Sequence, residues 1–154
     1  GLTLADAGTY RVYADFKRDG RNETLARDVN VAGPFAPIAL AAPSDTARAA
    51  GGYAVGLGGG APRAGEEAPL TFELSRGGRS VTPQPYLGAR GHLVALRASD
   101  LAYLHVHPTE EGPGHGGPVS FATEFATGGS YRLFLQFKHD DRVRTAAFTK
   151  EVAR

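Results

Sequence analysis

An internal repeat constrains this chain more than any other feature of its sequence. Residues 7–24 (AGTYRVYADFKRDGRNET) align without gaps with residues 128–145 (GGSYRLFLQFKHDDRVRT). The identical pairs are Gly8/Gly129, Tyr10/Tyr131, Arg11/Arg132, Phe16/Phe137, Lys17/Lys138, Asp19/Asp140, Arg21/Arg142 and Thr24/Thr145. Each copy has the pattern of a turn, an alternating strand, a polar turn and a second strand. The sequence therefore predicts a β-hairpin that is used twice.

The first copy begins with a motif that resembles the end of an immunoglobulin-like domain. In ADAGTYRV (residues 5–12), Asp-Ala-Gly-x-Tyr is typical of the corner before the penultimate strand, where the tyrosine hydroxyl bonds back to nearby backbone. Tyr10 and Tyr131 are predicted to be these corner tyrosines. The Cys expected two residues later is absent, so the resemblance implies only the wider sandwich architecture. The alternative is that G-[TS]-Y-R is a common turn-to-strand sequence of another all-β fold.

Three regions follow from the pattern of strands and breakers. Residues 1–33 are expected to be the C-terminal hairpin of a truncated first immunoglobulin-like repeat. Residues 34–52 are rich in Pro and Ala and show no strand or helix period, which predicts a linker or an extended crossing segment. Residues 53–154 contain seven or eight short segments with strand patterns and turn signals, at a spacing typical of a sandwich.

The predicted fold class is therefore all-β: an immunoglobulin-like antiparallel β-sandwich with an extra N-terminal β-hairpin. A β-hairpin alone is marginally stable in water. We therefore expect residues 1–33 to pair with an edge of the second domain, with another copy of the chain, or with a missing N-terminal fragment.

Composition excludes several classes of function. The net charge of +1 argues against a nucleic-acid-binding surface, which requires a basic patch. The chain contains no Cys, so it has no disulfide framework, no thiolate metal site and no catalytic thiol. No sequence segment is apolar over a length that would span a membrane.

The stretch GHLVALRASDLAYLHVHP (residues 91–108) predicts a second kind of hairpin, with three of the five histidines. His92 opens its first strand, and the turn follows at residues 97–100. Along the second strand His105 and His107 share one face, about 7 Å apart. If the strands pair antiparallel, His92 lies near His107, so that three imidazoles meet at one end of the hairpin.

These three histidines are the candidate metal site: His92, His105 and His107. Imidazole suits Zn, Cu and Ni, and no soft sulfur ligand is present to favour Cu(I). We therefore expect Cu(II) or Zn(II) as the bound ion. Water, His115, Glu110 or Glu111 could provide the fourth ligand.

A structural role for the same histidines is the competing interpretation. The rings could be partly buried and hydrogen-bonded, with Tyr86 and Tyr103 as partners. His92 could instead bond a loop carbonyl and fix the Pro-rich segment before it. His139 lies in a polar turn and is predicted to be an ordinary surface residue.

Other kinds of site have weaker support in the sequence. Ser99 and Ser120 do not lie in a nucleophile elbow of the G-x-S-x-G kind. The glycines at 58–60 lack the Lys-Ser/Thr and the helix start of a phosphate-binding loop. No general base or substrate pocket is evident, so we expect a binding protein rather than an enzyme.

The motifs GHLVALR, DLAYLHVHP and GGSYRLFLQF together resemble a repeated extracytoplasmic domain of secreted or membrane-anchored bacterial proteins. Members of that group are mostly uncharacterised, and some are labelled heavy-metal-binding. Each repeat has a His on one strand, an H-x-HP on the next and a terminal G-[TS]-Y-R hairpin. The resemblance implies a location outside the cytoplasm and carries over His92, His105 and His107.

Three hypotheses of function result. The first is a carrier or sensor that binds a divalent transition metal outside the cytoplasm. The second is a non-metal adhesion or interaction module in which the histidines are structural. The third is a zinc-dependent hydrolase with an open position on the metal.

Overall fold

The computed structural model describes residues 2–109 and 117–154, and only the backbone of Asn22, His105 and His107. It divides into two compact units, Gly1–Ala39 and Leu40–Arg154. The strands in chain order are β1 (Gly8–Arg18), β2 (Arg21–Val31), β3 (Thr46–Ala49), β4 (Tyr53–Gly58), β5 (Glu67–Arg76), β6 (Arg79–Ser80), β7 (His92–Arg97), β8 (Tyr103–Pro108), β9 (Val119–Glu124), β10 (Gly129–His139) and β11 (Arg142–Val152). The predicted all-β fold is confirmed.

The second unit is an antiparallel β-sandwich of two layers. One layer has the strand order β11-β10-β7-β8, and the other has the order β9-β5-β4-β3 with β6 beside β5. Strand β8 belongs to both layers, because Tyr103–Val106 pair with β7 while His107 and Pro108 pair with β9. The β7–β8 and β10–β11 hairpins lie in the first layer, and the β5–β9 pair lies in the second.

Aromatic side chains fill the space between the two layers. The rings of Tyr53 on β4 and Phe137 on β10 lie 5.5 Å apart, and those of Phe72 on β5 and Phe148 on β11 are also 5.5 Å apart. All four residues are buried, and they alternate along their strands with outward-facing residues. The alternation in the sequence is therefore the cause of the two-layer fold, since it gives each sheet one apolar face.

The first unit contains the hairpin β1–β2, which forms a two-stranded sheet of its own. Asp19 and Gly20 at its turn both have positive φ, at 50° and 80°. Asp140 and Asp141 repeat this conformation between β10 and β11, at 46° and 53°. The prediction that one hairpin is used twice is confirmed.

Residues 34–52, predicted as a linker or an extended crossing segment, contain one strand, β3. Thr46–Ala49 pairs antiparallel with β4, and Ala49 is part of the core. The inward positions of β3 are the alanines Ala47 and Ala49. Since alanine contributes little to a hydrophobic pattern, the strand is not recognisable from the sequence.

Both predicted corner tyrosines have the expected contact. The Tyr131 hydroxyl donates to the Thr127 carbonyl at 2.9 Å, and the Tyr10 hydroxyl donates to the Asp6 carbonyl at 2.9 Å. Tyr131 is buried beside Phe125, with ring centroids 4.8 Å apart, whereas the Tyr10 bond is exposed to solvent. The same bond therefore sits in two different environments.

Removing these hydroxyls should affect stability unequally. We expect Tyr131→Phe to lower the free energy of unfolding by about 1–2 kcal/mol, because it leaves a partly buried carbonyl without its donor. Tyr10→Phe should cost less than about 0.5 kcal/mol, because water replaces the lost donor. Urea unfolding followed by circular dichroism measures both variants. Equal costs would contradict the difference in environment.

Candidate metal centre

The histidine hairpin forms as the sequence predicts, and its register is known from the backbone. Leu93 pairs with Val106, and Val94 pairs with His105. The ladder between β7 and β8 ends there, because His107 pairs with Ala122 of β9. His92 is a diagonal neighbour of His105 across the two strands, and such neighbours lie about 7–8 Å apart. The backbone thus places His92 and His105 near each other at one end of the hairpin, while His107 lies where β8 joins the other layer.

Two of the three histidine positions, His92 and His105, lie on the outer face of the β11-β10-β7-β8 layer. Along β7, buried Leu93 and Ala95 alternate with half-buried His92 and Val94. Because opposed residues in a sheet share a face, the position of His105, opposite Val94, is on this outer face. The position of His107 lies opposite Ala122 in the other layer.

The His92 ring is held by a neighbouring loop. Its Nε2 lies 2.8 Å from the Tyr86 carbonyl oxygen, and the two rings meet edge to face with centroids 5.5 Å apart. A carbonyl only accepts hydrogen bonds, so Nε2 carries the proton and Nδ1 of the neutral ring has the free lone pair. This is the arrangement that metal-binding histidines commonly have, with the second nitrogen bonded to a backbone carbonyl.

The same contact fits the structural interpretation of His92. Tyr86 belongs to the Pro-containing segment before β7, residues 81–89. The Gln84 N–H attaches this segment to the sheet by donating to the Lys138 carbonyl at 2.7 Å. The His92–Tyr86 bond is a further attachment of the same segment. The geometry of His92 alone is therefore compatible with both roles.

The rest of the predicted ligand set lies outside the described residues. These are the side chains of His105 and His107, and all of Glu110, Glu111 and His115. Among the side chains that the structure does describe, no group of three or more His, Asp or Glu could hold a metal ion.

His139 differs from its prediction as an ordinary surface residue. Its Nδ1 lies 2.8 Å from the Tyr53 hydroxyl and 3.3 Å from Asp140 Oδ1. Arg76 joins the group by donating to Asp140 Oδ2 at 2.8 Å, and its guanidinium lies 5.1 Å from the centre of the Tyr53 ring. Tyr53 and His139 are 86 residues apart, so no local spacing could reveal this polar cluster.

A known family matches most of the second unit. Residues 47–154 match the model of a family described as a domain of unknown function, DUF8832. The chain belongs to the DUF8832 family. No curated protein and no solved structure matches the chain. The DUF8832 region begins within β3 and contains the hairpin β7–β8 with its three histidines, whereas β1–β2 lies outside it.

Within residues 2–109 and 117–154, no helix has the length and apolarity needed to cross a membrane.

Proposed function

We propose that the β7–β8 hairpin binds a divalent transition metal, Cu(II) or Zn(II), through His92, His105 and His107. The observation that supports the proposal is the register, since the Val94–His105 pairing makes His92 a diagonal neighbour of His105 on one outer face, and His107 follows two residues later on the same strand. The Nε2 bond of His92 to the Tyr86 carbonyl supports it, because this bond leaves Nδ1 available as a ligand. The protein would act as a metal carrier or sensor.

The proposed place of action is outside the cytoplasm. This part of the proposal rests on the resemblance of the histidine motifs to a repeated extracytoplasmic bacterial domain. Three neutral imidazoles with one open position suit Zn(II), and Cu(II) should bind more tightly to the same donors.

Metal titration tests the site directly. We expect calorimetry with ZnCl2 or CuCl2 to give one equivalent of bound ion for the untagged protein. His105→Ala/His107→Ala should weaken the affinity by more than about 100-fold, because loss of an outer-shell partner alone costs 10–100-fold. His139→Asn is the control, since it removes an imidazole that is bonded to Tyr53 and should leave metal binding unchanged. No binding above background by the unmodified protein would refute the proposal.

Acidification provides a second readout of the same site. Imidazole binds a metal only in its neutral form, so metal binding releases protons and weakens as the pH falls. We expect the rise in melting temperature that saturating Zn(II) produces at pH 7.5 to be lost at pH 5. A thermal shift that is equal at both pH values would contradict coordination by histidine.

A second candidate function is a non-metal interaction module with structural histidines, which the His92–Tyr86 bond favours. His92→Gln separates the two functions, because its amide can donate to the Tyr86 carbonyl but has no imidazole lone pair to offer. Under metal binding, His92→Gln keeps the stability of the metal-free protein and loses affinity for Zn(II). Under the structural role, His92→Ala destabilises the protein by about 1–3 kcal/mol, His92→Gln restores much of this loss, and Zn(II) changes neither.

A further inference from the structure

The two copies of the repeated hairpin have the same length and the same register. Gly8 pairs with Val31 in β1–β2, and Gly129 pairs with Val152 in β10–β11. Each ladder contains 11 residue pairs. Position by position, the face of β1–β2 that contains Tyr10, Val12 and Phe16 is thus equivalent to the core-facing side of β10–β11.

The equivalent faces differ in what covers them. In β10, Leu133, Leu135 and Phe137 are all 0% exposed beneath the opposite layer. The apolar side chains on the equivalent face of β1–β2 are exposed: Val12 39%, Phe16 38%, Leu25 62% and Val29 39%. The hairpin β10–β11 therefore covers the core with its apolar face, whereas the equivalent face of β1–β2 is exposed.

The other face of β1–β2 has the character of a solvent-exposed surface. Arg11 forms a two-pronged ion pair with Asp28, with distances of 2.7 and 2.9 Å. The Thr24 hydroxyl donates to Asp15 at 2.6 Å. The Arg11 guanidinium lowers the pKa of the Asp28 carboxyl below its usual value, mainly through the hydrogen bond, so this face stays charged at neutral pH. The apolar face differs from it by its exposed apolar side chains, although it also contains Glu23 and Arg27.

The apolar face is complementary to itself. Ala14 pairs with Leu25 at its centre. The flanking pairs are Val12 with Arg27 on one side and Phe16 with Glu23 on the other. A two-fold axis that runs across the strands through the central pair reverses this order. Arg27 of one copy then faces Glu23 of the other, Val12 faces Phe16, and Leu25 faces Leu25.

We propose that the apolar face of β1–β2 binds the same face of a second copy of the chain, in a two-fold arrangement centred on Ala14 and Leu25. Arg27 of each copy then faces Glu23 of the other copy, so the interface contains two such ion pairs. Glu23 also accepts an ion pair from Arg18 of its own chain at 3.2 Å, which leaves its second carboxylate oxygen for Arg27.

The size of the face sets the expected strength. Two strands about 4.8 Å apart with a rise of about 3.4 Å per residue give a face roughly 10 Å wide and 35 Å long. Two such faces bury on the order of 700 Å² in total, which is the range of weak interfaces. We therefore expect a reversible dimer with a dissociation constant in the micromolar range.

Sedimentation equilibrium of the full chain between 10 µM and 1 mM tests the dimer. We expect the mass to rise from monomer to dimer, and Leu25→Glu to abolish this rise. Ala26→Glu is the matched control, because Ala26 is the next residue on the same strand and belongs to the opposite face. Both variants are to be compared with the unmodified chain by circular dichroism, which reports whether the hairpin still forms.

Charge exchange tests the orientation. Arg27→Glu and Glu23→Arg should each weaken the dimer at least tenfold, because each places like charges opposite one another. The double variant Arg27→Glu/Glu23→Arg should recover most of the affinity. A chain that stays monomeric at 1 mM overturns the proposal. A dimer that Leu25→Glu leaves intact, or that the charge exchange does not restore, also overturns it.

Discussion

Replacement of Phe72 by alanine should lower the free energy of unfolding by about 3–5 kcal/mol, because it removes a buried ring that contacts rings of both layers. Phe72 is fully buried on β5. Its ring lies 5.7 Å from that of Phe121 on β9 and 5.5 Å from that of Phe148 on β11. The loss combines the transfer energy of a large side chain with the cavity left behind between two sheets that are fixed by hydrogen bonds.

Phe35→Ala is the matched control for this prediction. It makes the same chemical change at a residue that is 68% exposed, and should change the free energy of unfolding by less than about 0.5 kcal/mol. Guanidinium unfolding curves of both variants give the comparison. A cost below about 1 kcal/mol for Phe72→Ala would mean that the layers do not pack against each other as described.

The second large effect is expected at Gly59, in the loop that leaves β4. A Cβ at this position would lie 1.9 Å from the Pro69 carbonyl oxygen, and the backbone has a φ of +114°. Pro69 is part of β5 and pairs with Ala122, so its carbonyl cannot move away without disturbing the sheet. We expect Gly59→Ala to destabilise the protein by about 3–5 kcal/mol, from backbone strain and overpacking together.

Gly60→Ala separates the two contributions to that cost. Gly60 also has a positive φ, +78°, but a Cβ there meets nothing within 4 Å. Its substitution should therefore cost only about 1 kcal/mol, the penalty for a left-handed backbone. Thermal unfolding of both variants under the same conditions measures the difference. Similar melting temperatures would show that the contact with Pro69 is relieved by movement of the loop.

The sequence predicts those elements whose signals are local. The alternation of Tyr131, Leu133, Leu135 and Phe137 fixes which face of β10 enters the core, and the tyrosine corner is recognisable from four residues. The histidine hairpin was predicted with its turn because Ser99-Asp100 separates two alternating runs. In each case the neighbours along the chain are also the neighbours in space, so pattern and structure coincide.

The elements that the sequence does not predict depend on contacts between distant segments. Strand β3 turns small alanines inward and is recognisable only by its pairing with β4. The contact of His139 with Tyr53 requires that the end of β10 lie against the start of β4. The structural interpretation of the sequence includes a bond from His92 to a loop carbonyl, but the identity of that carbonyl, Tyr86, depends on how the Pro-rich passage returns to the sheet. The alternation of apolar and polar residues along a strand contains no information about such contacts between distant segments.

Strand β8 changes partners at His107, from β7 in one layer to β9 in the other. The two sheets cannot separate unless β8 loses its hydrogen bonds to one of them. The layers are therefore linked through the backbone of β8 as well as through the apolar contacts of the core. The domain should accordingly open in one all-or-none step. The proposed metal ligands His105 and His107 stand on either side of that crossing. An ion bound there would hold the crossing of β8 in place. The rate at which the ion dissociates would then limit the rate at which the whole sandwich unfolds.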